Sequence, residues 1–312
     1  MKKYFLFAGI LASVSFGCEK AIDVNVPFEE PKLVLNGFLD PDSSLGVHLS
    51  KSQFVLDNAP LQNITDAKVT VSVGEELLGE LPHQENGYYK LEGIKPEAGK
   101  IYTIRAEKTG LPAVEASEKV PAISVVKNIV LDSLGVGEYG QQRLSISFSL
   151  EDPPGPGDYY QVIVYETGFR KYYEYQPYNP DEPNKEPKYT WTPYQHPQQI
   201  ESADPLAEEM CTGYYSSCGL LIKDEQIDGK LSSHKIIVES FSRNHTEYEK
   251  DVELSLKVVH VPASFYLYYK TLATNREASG NPFAEPAKAY SNVNGGFGIW
   301  SAIAPFTFKV SK

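Results

Sequence analysis

Between Pro31 and about Pro121 apolar and polar residues alternate in short runs: KLVLNGFL, LGVHLSK, AKVTVSV, GYYKLEG, KIYTIRAE and AVEASEKV. Alternation places every second side chain on one face of an extended chain, so each run reads as a half-buried strand. Val, Ile, Tyr and Thr supply the branched and aromatic bulk that suits a pleated surface, and DPDSS, QENG and PEAGK interrupt the runs with turn residues. Six or seven such strands in about ninety residues predict an immunoglobulin-like β-sandwich over 31–122. The DPDSSLG run has a superficial likeness to a calcium loop. Its glycine comes one place late and no acid closes it, so a hairpin turn is expected.

The same alternation resumes after VPAIS in VVKNIVLDSL, RLSISFSLED, DYYQVIVYETG, HKIIVESFS and DVELSLKVVHV. A second β-rich domain is therefore expected over 123–312, with PPGPG as a tight connection inside it. One segment changes period. In PASFYLYYKTLATNREA, Phe265, Tyr268, Tyr269 and Leu272 recur at three- and four-residue spacings, which predicts a short helix beginning near Pro262 or Ser264. The fold class expected is mainly β: two β-sandwich-like domains, the first immunoglobulin-like, with one short helix in the C-terminal domain.

Residues 169–228 fit neither period. Prolines at 177, 180, 183, 187 and 193 argue against a central strand or a helix interior, so a long aromatic, proline-rich loop is expected. Loops of that length inside a domain are functional or disordered, and disordered segments are poor in aromatics. Tyr172, Tyr173, Tyr175, Tyr178, Tyr189, Trp191 and Tyr194 are the candidate binding residues, because stiff amphipathic rings dominate contact hot spots. Their alternative use is to pack the loop onto the second sandwich. Farther on, Asp224 and Glu225 in KDEQIDGK are adjacent, so in a strand they would point to opposite faces; a turn role is expected for them.

The N-terminus fixes the compartment. Lys2 and Lys3 precede an uncharged run from Tyr4 to Phe16, then Gly17 and Cys18. That order reads as a signal peptide over 1–17, a lipidated Cys18 and a polar tether over 18–30. The apolar run is too short to span a bilayer, for which ~20 residues are needed. An ordinary secreted protein with an unmodified Cys18 is the rival. Cleavage removes two of the 29 bases and none of the 41 acids, leaving a formal charge of −14. Nucleic acid would be repelled by such a surface, and membrane attachment would come from the lipid.

In an exported protein the two remaining thiols, Cys211 and Cys218, are expected to form a disulfide around TGYYSS. Metal binding is the rival, but two thiols fall short of the four ligands of a structural zinc site. HExxH, GxSxG and GxxxxGK[ST] do not occur, and the six histidines sit in six separate contexts. No catalytic residue, metal or cofactor is expected, and the protein reads as a non-enzyme.

NVNGGFGIW near the C-terminus could pass for a ligand cradle, but neither a lysine nor a helix start follows its glycines. The expected role is scaffolding: Asn294, Gly295 and Gly296 turn the chain with positive φ, and Phe297, Ile299 and Trp300 pack into the last strands. The Gly-Cys start, VLNGFLDPD, GKIYTI, KDEQIDGK, SFYLYYKTL and above all GNPFAEPAKAYSNVNGGFGIWSA resemble a Bacteroidota family of envelope lipoproteins whose domain has no known function. The chain departs in carrying Trp300 where phenylalanine is more usual. The resemblance implies an outer-membrane location and a neighbouring TonB-dependent receptor as partner, and brings no catalytic residues. The function it implies is an accessory or substrate-capture lipoprotein. An adhesin or structural envelope protein with immunoglobulin-like spacers is the alternative, and a secreted hydrolase with a noncanonical site the third.

Overall fold

The computed structural model describes residues 29–54, 57, 59–174, 188–210, 219–240, 247–279 and 288–310. Cys18, Cys211, Cys218, Tyr175 and Tyr178 lie outside the described residues. The chain is mainly β, with 18 strands in four sheets and one α-helix among the described residues. That helix is not long and apolar enough to cross a membrane.

The first sandwich uses β1 (Leu33–Leu39), β2 (Leu45–Lys51), β3 (Lys68–Val73), β4 (Glu76–Glu80), β5 (Tyr88–Leu91), β6 (Ile101–Glu107) and β7 (Val114–Lys119). Strand β1 alternates buried and half-buried positions without exception, as its sequence predicts. Strands β1, β2 and β5 share one sheet, and β4, β3, β6 and β7 form the other. The DPDSS hairpin is held by Asp40, whose Oδ1 accepts from the N–H of Asp42 at 3.0 Å.

The second sandwich contains β8 (Val125–Val136), β9 (Gln142–Glu151), β10 (Asp158–Tyr173), β11 (Tyr189–Pro197), β12 (Ile200–Ser202), β13 (Ala207–Met210), β14 (Gly219–Lys223), β15 (Leu231–Ser240) and β16 (Glu249–Pro262). After helix α1 (Ala263–Ser279) come β17 (Phe297–Ala302) and β18 (Ala304–Lys309). One sheet runs β12-β15-β9-β8; the other runs β13-β14-β10-β16-β18, with β11 beside β10. Leu144, Ile146, Phe148, Val162, Val164, Leu256 and Val258 fill the space between them.

The boundary expected at 122/123 does not hold for the C-terminus. Strand β17 pairs in parallel with β1, from Val34 opposite Phe297 to Leu39 opposite Ala302, and so completes the first sandwich. Trp300 is fully buried in that first core, where its Nε1–H donates to the carbonyl of Tyr102 at 3.1 Å. The chain then crosses to the second sandwich through Ile303 alone, because β18 pairs with β16. Helix α1 sits in the same junction: Phe265 and Tyr266 pack with Leu221, Val259 and Val261 of the second sandwich and with Phe38 of β1. Two separately closed domains would leave these apolar side chains exposed; the shared cluster buries them.

Candidate functional site: an aromatic hairpin

The long loop expected over 169–228 is in its first part a β-hairpin. Strand β10 continues to Tyr173 and β11 returns antiparallel beside it, from Tyr173 opposite Tyr189 to Tyr165 opposite Pro197. Pro193 is tolerated for a physical reason. Among the described residues β11 pairs with β10 only, so Pro193 sits in an edge strand with one ladder to satisfy. Within 169–228 the chain also forms β12, β13, β14 and a 3-10 turn at Asp224–Gln226.

Antiparallel register divides the aromatics between two faces. Residues directly opposite share a face, so Phe169, Lys171, Tyr173, Tyr189, Trp191 and Pro193 stand together. Arg170, Tyr172 and Tyr194 stand on the other side. The first face is a continuous stripe. Tyr173 meets Tyr189 edge-on with centroids 6.1 Å apart, and Tyr189 meets Trp191 the same way at 6.1 Å. Lys171 Nζ lies 4.1 Å from the Tyr189 centroid, and Lys250 Nζ of β16 lies 4.7 Å from that of Trp191. Hydrogen bonding to Tyr173 raises the Lys171 ammonium above its ordinary pKa, so it stays charged at neutral pH. Tyr173 and Tyr189 are each 47% exposed and Trp191 is half-buried.

The opposite face is closed by its own contacts. Arg170 donates to Glu249 Oε1 at 2.6 Å and lies over the Tyr194 ring, which stacks on His196 at 4.6 Å. The Tyr194 hydroxyl donates to the buried Glu166 carboxylate at 3.3 Å. Gly168 makes room for that ring: a Cβ there would lie 3.0 Å from the hydroxyl oxygen. Tyr194 therefore belongs to the hairpin's support, while Tyr172 remains 51% exposed beside it. Of the seven candidate residues, Tyr173, Tyr189 and Trp191 come together. The sequence reading missed Phe169, Lys171 and Lys250. Strand register finds the first two, but Lys250 arrives from a distant strand and leaves no local signal.

The glycine block proves to be a strand-pairing device. The expected turn is present at Gly295, whose φ is +80°, but neither Asn294 nor Gly296 shares its positive φ; the other positive φ in the block, +111°, falls on Gly298 inside β17. Gly296 and Gly298 instead let β17 approach the carbonyls of Leu33 and Leu35 more closely than any Cβ allows. Asn292 clamps the strand by accepting from Trp300 N–H at 3.0 Å and donating to its carbonyl at 2.6 Å. Trp300 suits the position because its indole N–H reaches the Tyr102 carbonyl, which a phenylalanine ring cannot do.

Among the described residues Asp152, Asp158 and Asp224 bring carboxylate oxygens within 4.8 Å of one another. Each of the three carboxylates already has a hydrogen-bond partner. Asp224 Oδ2 accepts from the N–H groups of Gly157 and Asp158 at 2.7 and 3.0 Å, and Asp152 Oδ2 from Gly229 N–H at 2.9 Å. His260 Nε2 meets Asp158 Oδ1 at 2.7 Å, and the Tyr160 hydroxyl donates to Asp152. Burial raises the Asp152 pKa and the Tyr160 pKa, the latter with the Asp152 carboxylate adding to the effect. The cluster pins PPGPG against KDEQIDGK, so Asp224 has the turn role expected of it. A cleft of about 450 Å³ opens at the junction of the sandwiches, lined by Phe38, Asp40, Tyr165, Lys257 and Tyr269.

Fold and surface together define a β-protein of two interlocked sandwiches that projects an aromatic hairpin. The chain belongs to the DUF4249 family, described as a domain of unknown function, whose profile matches residues 19–308. The comparison with curated proteins gives no match.

Proposed function

We propose that this protein is a lipid-anchored outer-membrane lipoprotein that serves a TonB-dependent transporter as an accessory or substrate-capture partner, with the hairpin stripe as its contact face. The observation that carries the contact role is the row of exposed Tyr173 and Tyr189 and half-buried Trp191, interleaved with Lys171 and Lys250. Exposed aromatics next to fixed cations give large contact area at low entropy cost, and aromatic residues dominate hot spots. The anchoring role rests on the basic start, the short apolar run and Gly17-Cys18. The transporter partnership rests on the resemblance of the lipoprotein start and the C-terminal block. Contact of this kind needs no catalysis at the hairpin. Solubilising native envelopes in mild detergent and isolating the protein tests the reading. A large β-barrel receptor retained through washing is the expected result, and its absence from material carrying intact lipidated protein removes the partnership in favour of a spacer or adhesin.

A further inference from the structure

Strand β15 carries Ser232 and His234 two residues apart, so both side chains leave the same face. Ser232 Oγ lies 2.6 Å from His234 Nε2, and His234 Nδ1 lies 2.6 Å from Oδ2 of Asp204. A ring nitrogen facing a carboxylate carries the proton, which leaves Nε2 of the neutral ring as an acceptor aimed at the serine hydroxyl. Ser232 Oγ also approaches the Leu150 carbonyl, but at 3.2 Å, so the shorter contact to Nε2 decides where its hydrogen points.

The arrangement is buttressed on each side. Asp204 Oδ1 accepts from Leu206 N–H at 2.9 Å, and Asp204 N–H donates to Ser202 Oγ at 3.1 Å. The His234 ring is buried and packs on Phe148, with centroids 5.5 Å apart. Ser232 is less buried and borders an opening of about 390 Å³ whose wall includes Ala203, Pro205, Leu206 and Ile237. Strand β12 ends with Ser202 opposite Ile236, so among the described residues the part of β15 bearing Ser232 and His234 has no strand on that side. The open edge gives a small molecule access to the serine.

We propose that Ser232, His234 and Asp204 form a nucleophile, base and positioning carboxylate that hydrolyse short-chain carboxylic esters, an activity separate from the contact role of the hairpin. Ser232 Oγ bonds to the ester carbonyl carbon as Nε2 takes the hydroxyl proton and the carbonyl π electrons move to its oxygen. Collapse breaks the bond to the alcohol oxygen, which leaves with the proton from Nε2. Water then gives a proton to Nε2 and attacks the acyl–serine carbon, and Oγ departs with that proton. The net reaction is ester plus water to acid plus alcohol. The apolar wall suits an uncharged acyl chain of a few carbons, and Asp204 acts by holding the ring in the productive tautomer.

The test uses the full folded protein with a fluorophosphonate probe and with p-nitrophenyl acetate and butyrate. A covalent adduct on the Ser232 peptide is expected, together with ester turnover that Ser232→Ala lowers at least 100-fold while Ser117→Ala leaves it unchanged. Asp204→Asn is expected to slow labelling by a similar factor, with Asp204→Glu recovering part of it, a pattern that a purely structural carboxylate would not give. Added imidazole is expected to restore turnover to His234→Ala, and this arm reads chemistry even where the variant is less stable. An unlabelled Ser232 in folded wild-type protein, or turnover that survives Ser232→Ala, overturns the proposal.

Discussion

A Cβ placed on Gly37 would lie 2.7 Å from the Trp300 ring and 2.9 Å from the carbonyl oxygen of Gly46. Neither neighbour has room to retreat, because the ring is fully buried and the carbonyl belongs to the backbone. Gly37→Ala is therefore expected to destabilise the protein by ~1–3 kcal/mol, with a lowered melting temperature in thermal denaturation. A second residue-scale test concerns Glu118, at the junction beside Ser264 of α1, whose hydroxyl donates to its carboxylate. Burial raises the Glu118 pKa above the ordinary carboxylate range. The folded state thus holds the proton more tightly than the unfolded chain, and stability falls as pH rises from the unfolded pKa through the folded one. Glu118→Gln keeps an acceptor for Ser264 and cannot ionise. Its melting temperature relative to wild type is expected to be most favourable near neutral pH, with the advantage shrinking toward pH 4; a constant difference across that range would contradict the assignment.

Among the elements, alternating strands were legible, without a break in β1 and β6 and over part of their length in β2 and β16, because half-burial writes itself into the local pattern. So was α1, whose residues at 265, 268, 269 and 272 change the period. The β11 strand was hidden by its prolines, which an edge position tolerates, and β4 by its exposed, short ELLGE sequence. The pairing of β17 with β1 could not be read locally, since nothing in FGIWSA names a partner more than 250 residues away. For the hairpin, aromatic composition singled out the segment, but only register separates Tyr189 and Trp191 from Tyr194. The joining of Ser232 and His234 with Asp204 depends on where the 202–206 turn folds back, so spacing alone gave no sign of it. The hairpin makes a direct prediction. Trp191→Ala and Tyr189→Ala are each expected to weaken contact with the receptor by ~1–3 kcal/mol in a binding titration, with little change in melting temperature. A large stability loss with unaltered binding by the folded fraction would mark the stripe as support and not as contact surface.

For the whole molecule, the interlocking of the sandwiches makes the body one unit from Leu33 to Lys309: its N-terminal sandwich is completed by a strand close to its C-terminus. Cys18→Ala is expected to abolish incorporation of a fatty-acid label and to release or trap the protein as a precursor; continued labelling would exclude Cys18 as the attachment point. The most direct test of the central claim is photocrosslinking in native envelopes from a reactive side chain at position 189, with one at the exposed Leu77 of β4 for comparison. The account predicts a crosslink from position 189 to a TonB-dependent β-barrel receptor and none from position 77. Crosslinks to that receptor from position 77 alone would contradict it.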